Sequence, residues 1–253
     1  MIGLTHVVSP DINRCELTFI DREPIAYDLA VQQHDNYCAL LRSCGVNVVT
    51  LSENISHPDC CFIEDTAIVV DEIAVIASMG AASRRDEIPA IEKELSKYRE
   101  LAHIRPPATI EGGDVLQIGK RLFAGISSRT NIQGVEQLAQ ILGPLSYSVI
   151  PVQVKGSLHL KTACTAINNE TLLVNPRWID LEPLRGFNLV FTPDPEPWAA
   201  NTLRIGDTVY LQSAFPRTLE LVQKLNVKAE TIDISQLSKA EAGLTCLSIT
   251  FKE

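Results

Sequence analysis

The sequence predicts an α/β fold in which five repeated units close into a ring. Four times along the 253 residues, two short apolar runs flank a polar turn of two or three residues. Turns of this composition between β-rich runs are typical of β-hairpins. A helical pattern and then a lone apolar run follow the hairpins, and one such unit is too small to bury its own core. Recurring ββαβ units of this size therefore favour a single pseudo-symmetric ring.

The four hairpins are recognised from their turns and from the apolar runs beside them. The turns lie at 71–72, 119–120, 168–170 and 206–207. Many residues of the flanking runs are β-branched, as is usual in strands. The predicted strand pairs are 67–70 with 73–77, 115–118 with 121–125, 163–167 with 171–175, and 202–205 with 208–212.

A fifth unit is split between the two ends of the chain. The sequence begins with a lone strand near Leu4–Val8, and it ends with the apolar run Thr245–Phe251. We therefore expect the termini to pair and to complete the fifth hairpin. The lone strands that finish the five units are predicted at 46–51, 101–105, 147–152, 188–192 and 229–234.

Apolar residues at helical spacing predict the connecting helices. The clearest patterns cover 27–41, 88–98 and 135–142, and a fourth helix is predicted over Thr218–Leu225. The segment Trp178–Leu184 is short, and its pattern does not decide between a helix and a loop.

Composition predicts one globular domain over residues 1–253 and narrows the class of ligand. The net charge of −9 and the pI near 5.1 argue against nucleic acid, which requires concentrated Lys and Arg. The sequence has no signal-peptide pattern and no apolar run that would span a bilayer, so no membrane partner is expected. Seven cysteines without regular spacing indicate reduced thiols and a cytoplasmic location. A small cation is the better-matched ligand, and the number of subunits, including a homo-oligomer, stays open.

Neither a metal nor a phosphate-binding cofactor is expected. Cys60 and Cys61 lie near His57, but no C-x-x-C, H-E-x-x-H or EF-hand spacing occurs. The glycine-rich motif Glu111–Asp114 precedes a strand and does not open a helix, so the Rossmann and Walker interpretations fail on context.

Polar side chains suited to catalysis precede each hairpin at equivalent positions. These positions hold Glu64–Asp65, Glu111, His159 and Asn201, and the terminal hairpin adds Cys246. Ring packing would bring the side chains to one centre, which favours a thiol mechanism. Taken singly, Cys246 is equally consistent with a small buried strand residue, and His159 with a core histidine.

Seven motifs, in order along nearly the whole chain, resemble those of the dimethylarginine dimethylaminohydrolase family. This family is a member of the pentein, or guanidino-group-modifying, superfamily. The motifs are Pro58–Asp65, Gly80–Arg85, Ile110–Asp114, Ser127–Asn131, Leu158–Lys161, Ala199–Asn201 and Leu244–Cys246.

The resemblance implies a five-bladed α/β propeller and a cysteine hydrolase that needs no cofactor. Its substrate would be an Nω-methylated arginine, a small cationic guanidino amino acid, and its products citrulline and methylamine or dimethylamine. The chain lacks the large helical insertion of typical arginine deiminases. Two alternatives stay open: a related hydrolase acting on arginine, citrulline or another guanidino compound, and an inactive arginine-binding pentein. The second alternative predicts loss of the Cys or the His, and both are present.

The resemblance also implies a role for each matching residue. Cys246 would be the nucleophile, His159 the general acid and base, and Glu111 the carboxylate that orients His159. Arg85 is adjacent to Arg84 and could be confused with it. The implied substrate-binding residues are Glu64 and Asp65 for the guanidinium, Asp59 for the α-amino group, Arg84 and Arg129 for the α-carboxylate, and Leu17 on a mobile lid.

The chemistry of a guanidinium accounts for these residue types. The group is cationic and resonance-stabilised, so carboxylates must hold it still while a strong nucleophile attacks. An ordinary thiol is mostly protonated at neutral pH, but a nearby cation favours the thiolate. We therefore hypothesise that the charge of the substrate helps to activate Cys246. Attack would give a covalent S-alkylthiouronium, with His159 first protonating the departing amine and then activating water.

Overall fold

The structure, a computed structural model, describes residues 1–253 and contains five three-stranded sheets of identical design. In every sheet the middle strand pairs antiparallel with one neighbour and parallel with the other. The predicted α/β fold of five ββαβ units is confirmed.

The first three sheets contain the N-terminal half of the chain. Their elements are β1 (Ile2–His6), α1 (Tyr27–Ser43), β2 (Asn47–Leu51), β3 (Ala67–Val69), β4 (Ile73–Ile76), α2 (Ile88–Leu95), β5 (Glu100–His103), β6 (Val115–Ile118), β7 (Arg121–Ile126), α3 (Ile132–Leu142) and β8 (Ser148–Gln153).

The last two sheets and the closing strand follow. Their elements are α4 (Leu160–Ala163), β9 (Cys164–Ala166), β10 (Thr171–Val174), β11 (Asn188–Phe191), β12 (Leu203–Ile205), β13 (Thr208–Gln212), α5 (Pro216–Gln223), β14 (Lys228–Ile232), α6 (Ser235–Ser238) and β15 (Ile249–Phe251). None of these helices is both long and apolar enough to cross a membrane.

The two ends of the chain close the ring, as predicted. Strand β15 pairs antiparallel with β1, with Phe251 opposite Ile2 and Ile249 opposite Leu4. On its other side β1 pairs parallel with β2. The first sheet therefore contains strands from both termini, and it has the same order as the other four.

The hydrophobic core lies between the sheets. Five buried apolar clusters occur, and each fills the space between two adjacent units. Between the first two sheets, for example, Leu4 and Ile76 pack with Leu95 of α2. The middle strands are covered on both faces, which explains why a strand such as β10 is apolar at consecutive positions.

The fourth unit departs from the repeat because no α-helix connects β10 to β11. The ambiguous segment 178–184 forms only a short 3₁₀ turn at Glu182–Leu184, with Pro183 inside it. Trp178, Leu184 and Phe187 pack against the sheets where a helix would otherwise lie. Helix α2 is also shorter than predicted, since it ends at Leu95 and leaves Tyr98 in the following turn, where its ring meets Phe251 edge-on.

Candidate active site

The short turns that lead into the first strand of each unit carry the predicted catalytic side chains. Glu64 and Asp65 lie in the 3₁₀ turn before β3, and Glu111 immediately precedes the turn before β6. His159 immediately precedes α4, and Cys246 lies in the turn Thr245–Leu247 before β15. Cys246 was expected at the start of the last strand, so the structure moves it into the preceding turn.

One small cavity, of about 30 Å³, brings most of the predicted site residues together. Both Cys246 and His159 line it, whereas Glu64 and Leu17 do not. The lining residues are Glu16, Asp59, Phe62, Asp65, Arg84, Glu111, Arg129, Leu158, His159, Ala240, Glu241, Ala242 and Cys246.

Carboxylates surround the imidazole of His159. Its Nε2 lies 2.8 Å from Oε2 of Glu111 and 3.7 Å from Oδ1 of Asp65. The other oxygen of Glu111 accepts a hydrogen bond from the N–H of Ala81 at 3.0 Å. Both oxygens of this buried carboxylate are therefore held by hydrogen bonds. Burial opposes a charge on His159, but Asp65, Glu111 and Asp114 outweigh it and raise the pKa of His159 to about 9. The imidazole is therefore in its positively charged form at neutral pH.

The Glu111–Asp114 motif is built around His159. A Cβ on Gly113 would lie 2.7 Å from Nδ1 of His159 and 2.6 Å from a carboxylate oxygen of Asp65, so only glycine fits. Asp114 was not predicted as a site residue. Its carboxylate accepts from the N–H of Leu160 at 2.8 Å and from the hydroxyl of Ser127 at 2.6 Å. Asp114 thus fixes the backbone immediately after His159, and burial raises the pKa of this carboxyl to about 6.

Asn201 fixes the turn that carries Cys246. Its Nδ2 donates to the carbonyl of Lys161 and to the hydroxyl of Thr245, both at 3.0 Å, and its Oδ1 accepts from the N–H of Thr245 at 3.1 Å. The N–H of Gly243 donates to Sγ of Cys246 at 3.3 Å. Burial, followed by the nearby carboxylates Glu64 and Asp65, raises the pKa of the Cys246 thiol to about 12. The free protein therefore holds Cys246 as a thiol.

Asp65 is anchored by Arg84. Oδ2 of Asp65 lies 2.6 Å from Nη1 of Arg84, and Oδ1 accepts from the N–H of Gly113 at 3.0 Å. Burial favours the neutral acid, but His159 and Arg84 outweigh burial and lower the pKa of Asp65. Asp65 is accordingly a fixed negative charge beside His159.

The two arginines predicted to bind a carboxylate differ in their contacts. The buried guanidinium of Arg84 pairs with Asp65 and Glu87, and it also donates to the carbonyl of Phe62 at 2.8 Å. Arg84 lines the cavity, and its role in binding a carboxylate stays a prediction. Arg85 is exposed and does not line the cavity. Arg129 is half-buried, and its one ion-pair contact is a 3.9 Å approach to Glu111, so its donors stay available.

Glu64 does not line the cavity, and its role as a guanidinium-binding residue stays a prediction. Its Oε1 pairs with Nζ of Lys161, and its Oε2 accepts from the hydroxyl of Thr245 at 2.7 Å. These three side chains line a central channel of about 340 Å³ between the inner strands of the five sheets. Burial raises the pKa of Glu64.

Asp59 contacts the loop beside the cavity. Both of its oxygens lie 3.2 Å from the N–H of Glu16, and burial raises the pKa of Asp59 to about 6. Leu17, the predicted lid residue, packs half-buried against the core cluster between the fifth and first sheets. The loop therefore lies next to the cavity, although the Leu17 side chain does not line it.

Other residues around the cavity had weaker signals in the sequence. Asp114 stands in the glycine-rich motif and could have been found there, whereas no motif marks Glu16 or Glu241. Ligand atoms of Asp65, Glu111 and His159 lie within 4.8 Å of one another, a spacing that a divalent cation could use. The hydrogen bonds and ion pairs among these groups already account for that spacing.

Comparison with known proteins identifies the family. The family model described as "N,N dimethylarginine dimethylhydrolase, eukaryotic" matches residues 10–185. The N(G),N(G)-dimethylarginine dimethylaminohydrolase of Streptomyces coelicolor is 33% identical, with 99% of this chain and 97% of the relative covered. The enzyme of the same name from Pseudomonas aeruginosa is 30% identical, with 89% of each chain covered.

Solved structures of dimethylarginine dimethylaminohydrolases have folds closely similar to that of this chain. A cysteine-to-serine variant of the P. aeruginosa enzyme, complexed with citrulline, superimposes with a TM-score of 0.92 at 28% identity and covers 99% of this chain and 98% of its own. A histidine-to-glycine variant described as an adduct with S-methyl-L-thiocitrulline gives 0.94 at 28% identity and covers 99% of both chains. A cyanobacterial arginine dihydrolase domain, at 16% identity and a TM-score of 0.85, shares the fold. With its sequence match, its five-unit fold and these relatives, the chain belongs to the dimethylarginine dimethylaminohydrolase family.

Proposed function

We propose that this protein hydrolyses Nω-methylated arginines to citrulline and methylamine or dimethylamine, with Cys246 as the nucleophile. The observation that carries the proposal is the single cavity lined by Cys246, His159, Asp65 and Glu111 in a chain of this family. A cysteine, a protonated imidazole and two fixed carboxylates are the groups that nucleophilic attack on a methylated guanidinium requires.

The charges around the cavity match the two ends of the substrate. Asp65 would hold the guanidinium through charge-assisted hydrogen bonds, since its neighbours keep it ionised, and Glu111 would orient His159. Arg129 would bind the α-carboxylate because its donors stay available. Asp59 would bind the α-amino group of the substrate. Arg84 would serve indirectly by anchoring Asp65. On the channel side, Glu64 would steady the turn that carries Asp65 through its contacts with Lys161 and Thr245.

The substrate itself would activate the nucleophile. With a pKa of about 12, Cys246 is protonated at neutral pH before substrate binds. A guanidinium held by Asp65 would lie beside the sulfur and offset the negative charges that disfavour the thiolate. The thiol proton leaves to solvent, because His159 is already protonated, and thiolate formation is therefore coupled to binding of the correct cation.

The reaction would then proceed in two displacements through His159. The thiolate forms a C–S bond to the guanidinium carbon, and protonated His159 donates its proton to the methylated nitrogen as the C–N bond breaks. Neutral His159 next removes a proton from water as the water oxygen attacks the thiouronium carbon. As the C–S bond breaks and the carbonyl forms, the remaining hydroxyl proton passes to the departing Cys246 thiolate, and citrulline is released.

A substrate panel tests this proposal. Purified protein is supplied with arginine, monomethylarginine, asymmetric dimethylarginine and citrulline, and the released amines and citrulline are identified by mass spectrometry. We expect citrulline with methylamine or dimethylamine from the methylated substrates. Ammonia from arginine alone would instead support a deiminase, and no turnover of any substrate would support a binding protein.

We also propose that residues 1–253 act as one catalytic domain in the cytoplasm. The core clusters join each sheet to its neighbours around the ring, so no group of sheets has a separate core. The seven cysteines, all of which are free thiols in this fold, support the cytoplasmic location.

A further inference from the structure

Three consecutive backbone amides of the loop beside the cavity converge on one carboxylate oxygen. The N–H groups of Thr18 and Ile20 donate to Oε1 of Glu241 at 3.0 and 2.9 Å, and the N–H of Phe19 donates to the same oxygen. Successive amides directed at one point form a concave anion-binding nest. Glu241, which lies 221 to 223 positions away in sequence, thus occupies the nest formed by residues 18–20.

These contacts hold the middle of a loop that has little other support. Residues 16–25 contain no helix or strand and form no backbone–backbone hydrogen bond. Their remaining polar contacts lie closer to the ends of the loop. The N–H of Glu16 donates to Asp59, Arg22 donates to the carbonyls of Asn13 and Cys15, and the carbonyl of Pro24 accepts from Lys239. The position of Thr18–Ile20 therefore depends on Glu241.

Stability alone does not account for a glutamate at position 241. Its φ of +60° lies in the left-handed region, which residues other than Gly, Asn and Asp rarely adopt. Its second oxygen, Oε2, is buried and has no hydrogen-bond partner. Backbone strain and an unpartnered buried oxygen both oppose this arrangement, so a role in function is the better explanation.

Glu241 also connects the loop to the segment that carries Cys246. It lies five residues before Cys246, and both residues line the cavity together with Glu16 of the loop. The cavity volume of about 30 Å³ is room for about one water molecule. Pockets for small molecules usually measure roughly 300–1,000 Å³. An amino acid the size of arginine can therefore enter only when the cavity wall moves, and displacement of residues 16–20 would break the three contacts with Glu241.

We propose that Glu241 is a positioning residue whose carboxylate latches Thr18–Ile20 across the opening of the active-site cavity. The inference takes the identity of the ligand from the proposed function, and the latch itself rests on the contacts above. Because Oε1 accepts from all three loop amides, Glu241 is assigned to positioning the loop. Loss of the latch weakens retention of the substrate and leaves the chemical step nearly unchanged.

Hydrogen exchange and steady-state kinetics of two variants test the latch. Glu241→Ala removes the acceptor, whereas Glu241→Gln keeps an oxygen there without the charge. In Glu241→Ala we expect roughly 10-fold faster exchange at the amides of 18–20 and a roughly 10-fold higher KM for a methylated arginine, the effect of losing one net charge-assisted hydrogen bond. We expect kcat to change less than about 3-fold, because the reacting groups stay in place. Glu241→Gln should fall between Glu241→Ala and wild type, and Glu220→Ala, at an exposed glutamate of α5, should match wild type.

Unchanged exchange at residues 18–20 in folded Glu241→Ala would overturn the latch. A lower melting temperature with unchanged exchange and KM would do the same, because it would assign Glu241 a purely structural role. If Glu241→Ala does not fold, Glu241→Gln decides: faster exchange confined to 18–20 supports the latch, and wild-type exchange contradicts it. The exchange measurement needs no turnover. It therefore tests the latch even if wild type fails to hydrolyse methylated arginines, a result that would reject the proposed function alone.

Discussion

His159 carries a positive charge at neutral pH because carboxylates surround it. Burial favours the neutral imidazole, but Asp65, Glu111 and Asp114 outweigh burial. A protonated histidine is the form that can donate to a departing amine. The carboxylate cluster would thus prepare the site for the first displacement of the proposed reaction.

The same charge makes the stability of the fold depend on pH. The pKa of His159 rises from an ordinary 6.5 to about 9, so the folded state binds the proton more tightly than the unfolded chain. This contribution is complete below pH 6.5 or so, and it disappears as the pH rises through about 9. A difference of this size corresponds to at most about 3–4 kcal/mol.

Urea unfolding at pH 6 and pH 9 measures this contribution. Over that range we expect wild type to lose about 2–3 kcal/mol more unfolding free energy than His159→Gln, which has no proton to lose. Equal losses in the two proteins would show that His159 is not held as the cation.

At the residue scale, the sequence identified the side chains of the site better than the direction in which each side chain points. Glu64 and Asp65 are adjacent, and both were expected to bind the guanidinium. They lie in a 3₁₀ turn, where successive side chains are rotated by about 120°. Glu64 therefore lines the channel, and Asp65 lines the cavity. The neighbours Thr245 and Cys246 divide in the same way. Pairing of Arg84 with Asp65 and Glu87 depends on tertiary contacts that no local pattern reveals.

The turn before β6 is the element that sets the position of the imidazole. Gly112 would bring a Cβ within 2.0 Å of the carbonyl oxygen of Glu64, and Gly113 would bring one within 2.7 Å of His159. Two glycines therefore let three turns of the ring approach one another closely. The precision of the site depends on this backbone contact.

Gly113→Ala should disturb the site more than the fold. The added Cβ must push aside the Asp65 carboxylate or the His159 ring, and a displacement near 1 Å can cost about 100-fold in rate. We expect kcat to fall by about 100-fold or more, with a loss of roughly 1–3 kcal/mol in unfolding free energy. Steady-state kinetics and urea unfolding measure the two effects.

Gly186→Ala is the matched control. Gly186 is exposed, its φ lies outside the left-handed region, and an added Cβ would meet only Nη1 of Arg121 at 3.9 Å, an ordinary van der Waals distance. This variant should keep wild-type activity and stability. Wild-type kcat in Gly113→Ala would contradict the close packing inferred around His159.

At the scale of elements, the hairpins and four of the helices could be predicted because their patterns are local. Alternating apolar runs and polar turns mark the strands, and helical spacing marks α1, α2, α3 and α5. The connection in the fourth unit could not be decided, since buried aromatic and aliphatic side chains replace a helix there. The 3₁₀ turns that carry the site are too short to leave a periodic signal.

At the scale of the whole molecule, the ring explains how residues from distant parts of the chain meet. Pairing of β15 with β1 fixes the C-terminal segment against the first sheet, and the adjoining turn brings Cys246 to the cavity. Repeat counting predicted this closure because a lone strand was left at each terminus. The distribution of the core into five clusters between sheets could not be read locally, because each cluster combines residues from adjacent units.

In the proposed function this ring presents Cys246 as the nucleophile toward a methylated guanidinium. Rapid acid quenching during turnover of asymmetric dimethylarginine, followed by peptide mapping in a mass spectrometer, would trap the covalent intermediate. We expect a substrate-derived adduct on the peptide that contains Cys246, and neither an adduct nor turnover in folded Cys246→Ala. Citrulline formation by Cys246→Ala, or an adduct on a different residue of wild type, would contradict it.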